Sequence, residues 1–352
     1  MRIALLHYTA APVIGGVERV MADQERALRS LGHEVVVMTR AAGPFAAGEF
    51  DAVIVHNLFT MPFDLDWTLE LREMAAASPK VRWINWIHDV AAVNPYYAHL
   101  PWLEADYMML SEPVPNAVCV AVSEARRWDY ARDSGVGLSE IQVIPNGIDL
   151  TEVLGLTERV AALQLWRHDL ILFHPTRLIR RKNIELGIEV CAALRDLGCP
   201  AAYVVTGAPD PHQADGVRYF EELRALAGER GVANQVRFLG QEGDLSDADV
   251  RGLYALADCL FFPSKGEGFG LPLLEAVLHR LPVFCSDLAV HREVMEGRGE
   301  TFSLGAAPVE IACQILNWAA TAPEIARRRE VWRQHDMLKI CQERLEPLLQ
   351  IR

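Results

Sequence analysis

Glu267 and Glu275 bracket the stretch EGFGLPLLE, which follows the apolar run DCLFFPS and a single Lys-Gly pair. Two carboxylates at this spacing can form a catalytic couple, bind a metal, face solvent on a helix, or accept hydrogen bonds from hydroxyl groups. The run Leu271-Pro272-Leu273-Leu274 predicts the first turn of a helix, where the missing N–H of proline costs nothing. Glu275 then lies about one turn in, and Glu267 stays in the preceding loop. The amides of Gly268, Phe269, Gly270 and Leu271 point out of the turn between them. Carboxylates only accept, which suits adjacent hydroxyls of a ribose or hexose, while the amides suit phosphate or sugar oxygens. Compensation of the helix dipole explains one glutamate, not a pair around a GFG turn.

Two other stretches carry chemistry suited to anions. In HPTRLIRRKNIELG, four basic residues crowd six positions and would repel one another without an anion nearby. A diphosphate fits, with arginine as a planar fork and lysine as a point charge. Arg177 and Lys182 are read as its ligands, at a helix start whose amides add partial positive charge. Arg180 and Arg181 are read as solvated. Only four of the 34 basic residues are lysines, so Lys182 is conspicuous inside a motif. In APVIGGVERV, Gly15 and Gly16 allow a tight turn before a helix whose free N–H groups can face an anion. The spacing is not the G-x-G-x-x-G dinucleotide fingerprint, and a plain strand-to-helix turn stays open as the alternative.

Each of these stretches follows a strand-like run, and the rest of the chain shows what positions them. The first part offers RIALLH, EVVVMT, DAVIVH, VRWINWIH, AVCVAVS and IQVIP; the second offers LILFHP, AAYVVTG, QVRFLG, DCLFFPS and PVFCS. Between them lie helical patterns such as GVERVMADQERALRSLG, closed by Gly32 as a C-cap. Continuous apolar strands separated by helices imply parallel sheets covered on both faces. The break falls after PNGIDL, near residues 150 to 165. The run from Pro323 to Gln350 reads as one long Arg- and Glu-rich helix with a kink near Pro347. The fold class is therefore α/β, two doubly wound domains in tandem, with ligands expected at the carboxyl ends of the strands.

Composition bounds the function. With 352 residues, 51% hydrophobic and 23% charged, the chain is globular and long enough for two cores. A formal charge of −13 argues against general nucleic-acid binding, which needs a basic surface. The seven cysteines are scattered without paired spacing and read as buried thiols in a reducing compartment. No apolar segment reaches membrane-spanning length, and the N-terminus lacks the features of a signal peptide. A cytoplasmic location is expected, with peripheral membrane contact left open.

The order of GGVER, WIHD, VSEARR, VIPNGID, TRLIRRKN and EGFGLPLLE resembles the family-4 retaining glycosyltransferases of the GT-B fold. The resemblance spans residue 15 to about 285. It implies two Rossmann-like domains facing across a cleft: an acceptor-side domain over 1–155 and a nucleotide-sugar domain over 156–332. A C-terminal helix over 333–352 crosses back to the first. By the same resemblance, Gly15, Gly16, Arg177, Lys182, Gly270 and Leu271 hold the donor diphosphate. Glu267, with Gly268 and Phe269, meets the transferred sugar, and Glu275 meets the ribose. His88, in WIHD, faces the donor hexose; read by itself, His88 is a strand-end histidine bonded to backbone. The implied catalytic set is His88, Glu267, Arg177 and Lys182. The implied activity is hexosyl transfer from a nucleoside-diphosphate sugar, of GDP-mannose or UDP-glucose type, to a hydroxyl of a small polar, glycoside or anionic acceptor. The sugar nucleotide is a substrate, and no cofactor is expected.

Two departures bear on this reading. Thr176 stands where the family usually has glycine before the phosphate-binding arginine, which tightens that loop. The stretch WIHDVAAVNPYYAHLPW is long and aromatic, similar to a branch that includes mannosylglucosylglycerate synthases. The resemblance implies retention by same-face attack, the departing phosphate taking the acceptor proton, rather than the two flanking carboxylates of a hydrolase. Of the D-x-D strings FDLDW (Asp64, Asp66) and SDADV (Asp247, Asp249), the second reads as a helix N-cap with acids in its first turn and neither follows a donor-domain strand, so metal independence is expected. The competing classes are a GT-B nucleotide-sugar epimerase and a non-catalytic nucleotide-sugar binding protein.

Overall fold

The computed structural model describes residues 1–208 and 216–350 and divides the chain into two compact units. One comprises Met1–Leu150 with Gln334–Arg352; the other comprises Thr151–Arg333. Residues 351 and 352, the end of the expected C-terminal helix, lie outside the described residues.

The first unit holds six strands: β1 (Arg2–Leu6), β2 (Glu34–Met38), β3 (Ala52–His56), β4 (Arg82–Ile87), β5 (Ala117–Ala121) and β6 (Ile141–Val143). They form one parallel sheet in the order β2-β1-β3-β4-β5-β6. Both faces are dry. Ile3 and Leu5 enter one apolar cluster with the Gly16–Ser30 helix, while Ala4 and Leu6 enter another with Trp67 and Leu71. That two-sided burial is why these strands read as continuous apolar runs and not as alternating ones. Gly32, at φ 88, supplies the left-handed residue that ends the Gly16–Ser30 helix.

The second unit repeats the plan with β7 (Leu170–His174), β8 (Ala201–Val205), β9 (Val236–Phe238), β10 (Cys259–Phe262), β11 (Val283–Ser286) and β12 (Glu300–Phe302). Their order is β12-β11-β10-β7-β8-β9, again parallel. Strand β12 was not foreseen. Its three residues, ETF, are mostly exposed and carry no apolar run to betray them.

In each sheet the chain reverses its winding direction once. The first sheet does so between β1 and β3, the second between β7 and β10. A doubly wound sheet opens a crevice there at the carboxyl ends of its strands.

The C-terminal helical run differs from expectation. The helix Pro323–His335 stops at Asp336, whose extended backbone bridges to Ile148 and whose carboxylate caps Leu338. A second helical stretch runs from Met337 to Gln350, with a π turn at Cys341–Leu345 directly before Pro347. The main break thus falls at Asp336, where two backbone bonds to Ile148 replace helical ones. Met337, Ile340, Cys341, Leu345, Leu348 and Leu349 are buried against the first sheet. Gly147 makes this docking possible: a Cβ there would lie 2.6 Å from the Met337 Cα. No helix among the described residues is long and apolar enough to cross a membrane.

Candidate functional site

In the second unit the loops after β7 and β10 meet at the switch point. Lys182 ends a short 3-10 turn, Asn183 takes a left-handed conformation (φ 55), and the helix Ile184–Asp196 begins. The Asn183 amide donates to the Pro263 carbonyl at 3.1 Å, and the Lys265 amide donates to the Arg181 carbonyl at 2.7 Å. These bonds tie the basic loop to the glutamate loop. Lys182 then donates to Glu267 at 2.5 Å, with their side chains only 12% and 6% exposed. Ser264 donates to the same oxygen at 2.6 Å, and Arg181 reaches the other at 3.2 Å.

Burial pushes the Glu267 carboxyl up. The hydrogen bonds from Lys182 and Ser264, then the Lys182 charge and Arg181, outweigh it and hold the group below its usual range. The ammonium of Lys182 also sits 5.0 Å from the Phe262 ring centre. Beneath it His174 is buried, bonded to Tyr203 at 2.6 Å and kept neutral, its pKa pushed down to about 3 by burial and by Lys182. The floor is dry; the charges above it are paired.

Glu275 has a different setting. The helix Leu271–Leu278 begins after Gly270, left-handed at φ 95, with Pro272 in its first turn as expected. Glu275 is exposed one turn in and accepts from Tyr254 at 2.7 Å. The structure therefore separates the two glutamates: one closes a basic cluster, the other takes a single neutral hydroxyl. Phe269 and Leu271 are exposed beside the Gly268 loop.

Arg177 is exposed on the loop after β7. Its backbone is pinned by Gly207, where a Cβ would come within 2.2 Å of the Thr176 carbonyl and 2.3 Å of the Arg177 Cα. The two other arginines of the basic run are not simply solvated. Arg180 pairs with Glu222 at 2.6 Å and lies over the Tyr219 ring, whereas Arg181 belongs to the Glu267 cluster.

The first unit carries a second cluster, at the ends of β1, β3 and β4. His88 follows β4, and its backbone N–H donates to the Asn57 side chain at 2.7 Å. Its ring bonds side chains and not backbone: Nε2 lies 3.0 Å from His56 Nδ1, and Nδ1 lies 3.3 Å from the Asn146 amide nitrogen. Burial, then the neighbouring His7, pushes the His88 pKa down to about 3. His56 is held well below its ordinary value by burial, His88 and His7, and His7 is lowered by burial.

Gly15 and Gly16 correct the tight-turn reading. Gly15 is extended (φ −160, ψ 162) and neither residue adopts positive φ. The Glu18 carboxylate folds back instead to where a Gly15 Cβ would sit, bonded to Thr9 and 3.9 Å from His7 Nε2. A Cβ on Gly16 would meet open space.

Both D-x-D strings serve helix starts. Asp64 caps Leu65–Ala77 by accepting from the Trp67 amide, and Ser246 and Asp249 form a reciprocal box at Asp247–Leu256. Sequence reasoning missed Ser264, Tyr254, Gly207, His56, Gln24 and Glu18. Only the strand-end position of His56 and the place of Glu18 within GGVER hinted at them.

Two doubly wound parallel sheets, the second with a basic and acidic cluster at its switch point, define the class as a tandem α/β protein. A family model described as Glycosyltransferase Family 4 matches residues 14–152, and one described as Glycosyl transferases group 1 matches residues 161–303. Between them they take in every strand but β1, and the chain belongs to the family-4 glycosyltransferases of the GT-B fold. It is similar to the serotype-specific mannosyltransferase WbdA of Escherichia coli, 38% identical over 44% of this chain and 23% of that protein. It is also similar to the mannosylglucosylglycerate synthase of Petrotoga mobilis, 28% identical over 73% of this chain and 64% of that protein. The chain thus spans less than two thirds of either relative's length. A crystal structure of Anabaena Alr3699/HepE with UDP and glucose is 21% identical, with both chains fully covered, at a TM-score of 0.40, a likeness that bears on neither site nor substrate.

Proposed function

We propose that this protein is a retaining hexosyltransferase that moves a sugar from a nucleoside diphosphate to a hydroxyl of a small polar or glycoside acceptor. The observation that carries the proposal is the Lys182–Glu267 pair with Arg181 and Ser264, set beside the start of the Leu271–Leu278 helix. In this reading Arg177, Lys182 and the Gly270 and Leu271 amides hold the diphosphate and stabilise the charge that develops as the glycosidic bond breaks. Glu267, with Gly268 and Phe269, orients the hexose, and Glu275 takes the ribose. In the first unit, His88 serves the hexose, and the Gly16 end of its helix serves phosphate. The departing phosphate takes the acceptor proton on the attacked face, so no protein carboxylate acts as base and no metal is required. Relatives named for mannosyl transfer favour a mannose donor of the GDP-mannose type, with UDP-glucose as the other candidate.

The test is to screen nucleoside diphosphates by thermal shift, then follow donor hydrolysis and transfer in excess EDTA. Glu275→Ala should weaken both free nucleotide and intact donor. Glu267→Ala should leave nucleotide binding intact or stronger, because it frees Lys182, while lowering turnover. Equal losses of nucleotide affinity in the two variants would defeat the assignment. Interconversion of the donor sugar without acceptor would identify an epimerase instead.

A further inference from the structure

One polar chain in the first unit joins four elements. The Gln24 side chain, on the Gly16–Ser30 helix, places Oε1 3.1 Å from His56 Nε2. His56 Nδ1 lies 3.0 Å from His88 Nε2, and His88 Nδ1 lies 3.3 Å from Asn146 Nδ2. His56 ends β3, is fully buried and stacks obliquely on Trp86. The other groups near the chain are His7, just after β1, which bonds the His56 carbonyl, with Glu18 beside it. Asp89, next to His88, is occupied by Arg126 and Asn94, and His335 bonds the Asn146 carbonyl.

The roles along this chain are not independent. A neutral imidazole donates from one nitrogen and accepts at the other. If Gln24 accepts from His56 Nε2, then His56 Nδ1 must accept, His88 Nε2 must donate, and His88 Nδ1 must accept from Asn146. Every link is then made in one direction. A proton added to either ring would put two donors face to face. The far atoms of the two end amides, Gln24 Nε2 and Asn146 Oδ1, are buried without partners, so each side-chain amide bonds only the chain, Gln24 through its oxygen and Asn146 through its nitrogen.

We propose that His56 is a positioning residue, which with Gln24 holds His88 as a neutral imidazole in its Nε2–H tautomer. The lone pair on His88 Nδ1 is then the acceptor left for substrate. Its 3.3 Å bond to Asn146 is the longest link of the chain and the one a sugar hydroxyl can replace. The proposal rests on the reading of His88 as a sugar-facing residue, but its tautomer can be measured without any substrate.

The experiment is ring-nitrogen NMR of the full chain, histidine-labelled, between pH 5 and 8. His88 should show one neutral tautomer throughout, protonated at Nε2. His56→Leu should give a mixture of tautomers or a protonated ring within that range, and His56→Asn, whose amide can occupy the Nδ1 position, should restore the single form. If His56→Leu does not fold, Gln24→Met, close in volume, removes the same anchor from the helix side and should loosen the tautomer alike. With the preferred donor, loss of the anchor should raise KM roughly tenfold with kcat little changed, and leave free nucleotide binding untouched. A mixed tautomer in the wild type, or an unaltered His88 in a folded His56→Leu or Gln24→Met protein, would overturn the proposal. If the tautomers behave as stated but no nucleotide sugar is turned over, the transferase reading fails and the positioning role stands.

Discussion

The switch points of the two sheets are built from contrasting chemistry. In the first unit the polar atoms are imidazoles and amides, joined end to end and held neutral: His88, His56 and His7 are all pushed down by burial. In the second unit burial acts on Glu267 as well, yet the group stays ionised because Lys182, Ser264 and Arg181 surround it. The same desolvation therefore yields neutrality at His56 and His88, whose ring partners are neutral, and at His7, where it outweighs the nearby Glu18, but a tight ion pair where a cation is supplied.

The largest effect should come from breaking the charged cluster. If Lys182 holds the donor diphosphate as proposed, Lys182→Ala removes a charge-assisted contact worth about 1.5–3 kcal/mol. It also leaves Glu267, a largely buried carboxylate, with only Ser264 and Arg181. Nucleoside diphosphate affinity should fall roughly ten- to a hundredfold by calorimetry. Unchanged affinity would mean that the ion pair is structural and that phosphate is held elsewhere.

A middle-sized effect should appear in the pH dependence of stability, and here the two clusters part. A histidine whose pKa is lowered on folding binds more protons when unfolded. Its contribution is complete above pH 6.5 and is lost as pH falls toward the folded value, about 3 for His88. Thermal stability should therefore decline from pH 6.5 downward, and His88→Gln should flatten that slope. Glu267 is also lowered, from the ordinary 4.5 of a glutamate, so its contribution is present above pH 4.5 and lost only below it. Glu267→Gln should alter only that acid limb. Melting curves across pH 3 to 8 check both; identical slopes for wild type and His88→Gln would break the comparison.

The smallest effect should separate neighbours within one motif. Arg180 makes an exposed pair with Glu222, so Arg180→Ala should cost at most about 1 kcal/mol and leave nucleotide binding unaltered. Arg181→Ala, one position on, should measurably weaken the Glu267 cluster. Matching phenotypes would return both arginines to the surface.

Much of this was legible along the chain, for reasons that are local. Strand and helix periods, the Gly32 cap, Pro272 at a helix start and the cap acids of SDADV all depend on neighbours within about one turn. The motif residues Lys182 and Glu267 also stood out by type, as a rare lysine and a loop acid. What lay beyond the sequence is how they pair. Lys182 and Glu267 are 85 positions apart and meet because β10 lies beside β7. The sequence assigned them separate ligands, and tertiary structure makes them partners. His56 meets His88 only because β3 and β4 are adjacent, and Gln24 and Asn146 close that chain from two further elements. Gly207 looks like any loop glycine until the Arg177 backbone is laid against it. A C-terminal helix looks continuous until Asp336 finds Ile148. Local patterns are written by the forces between near neighbours. Ionisation, tautomer and close approach depend on which distant groups share a desolvated space, and the packing of the sheets alone decided that.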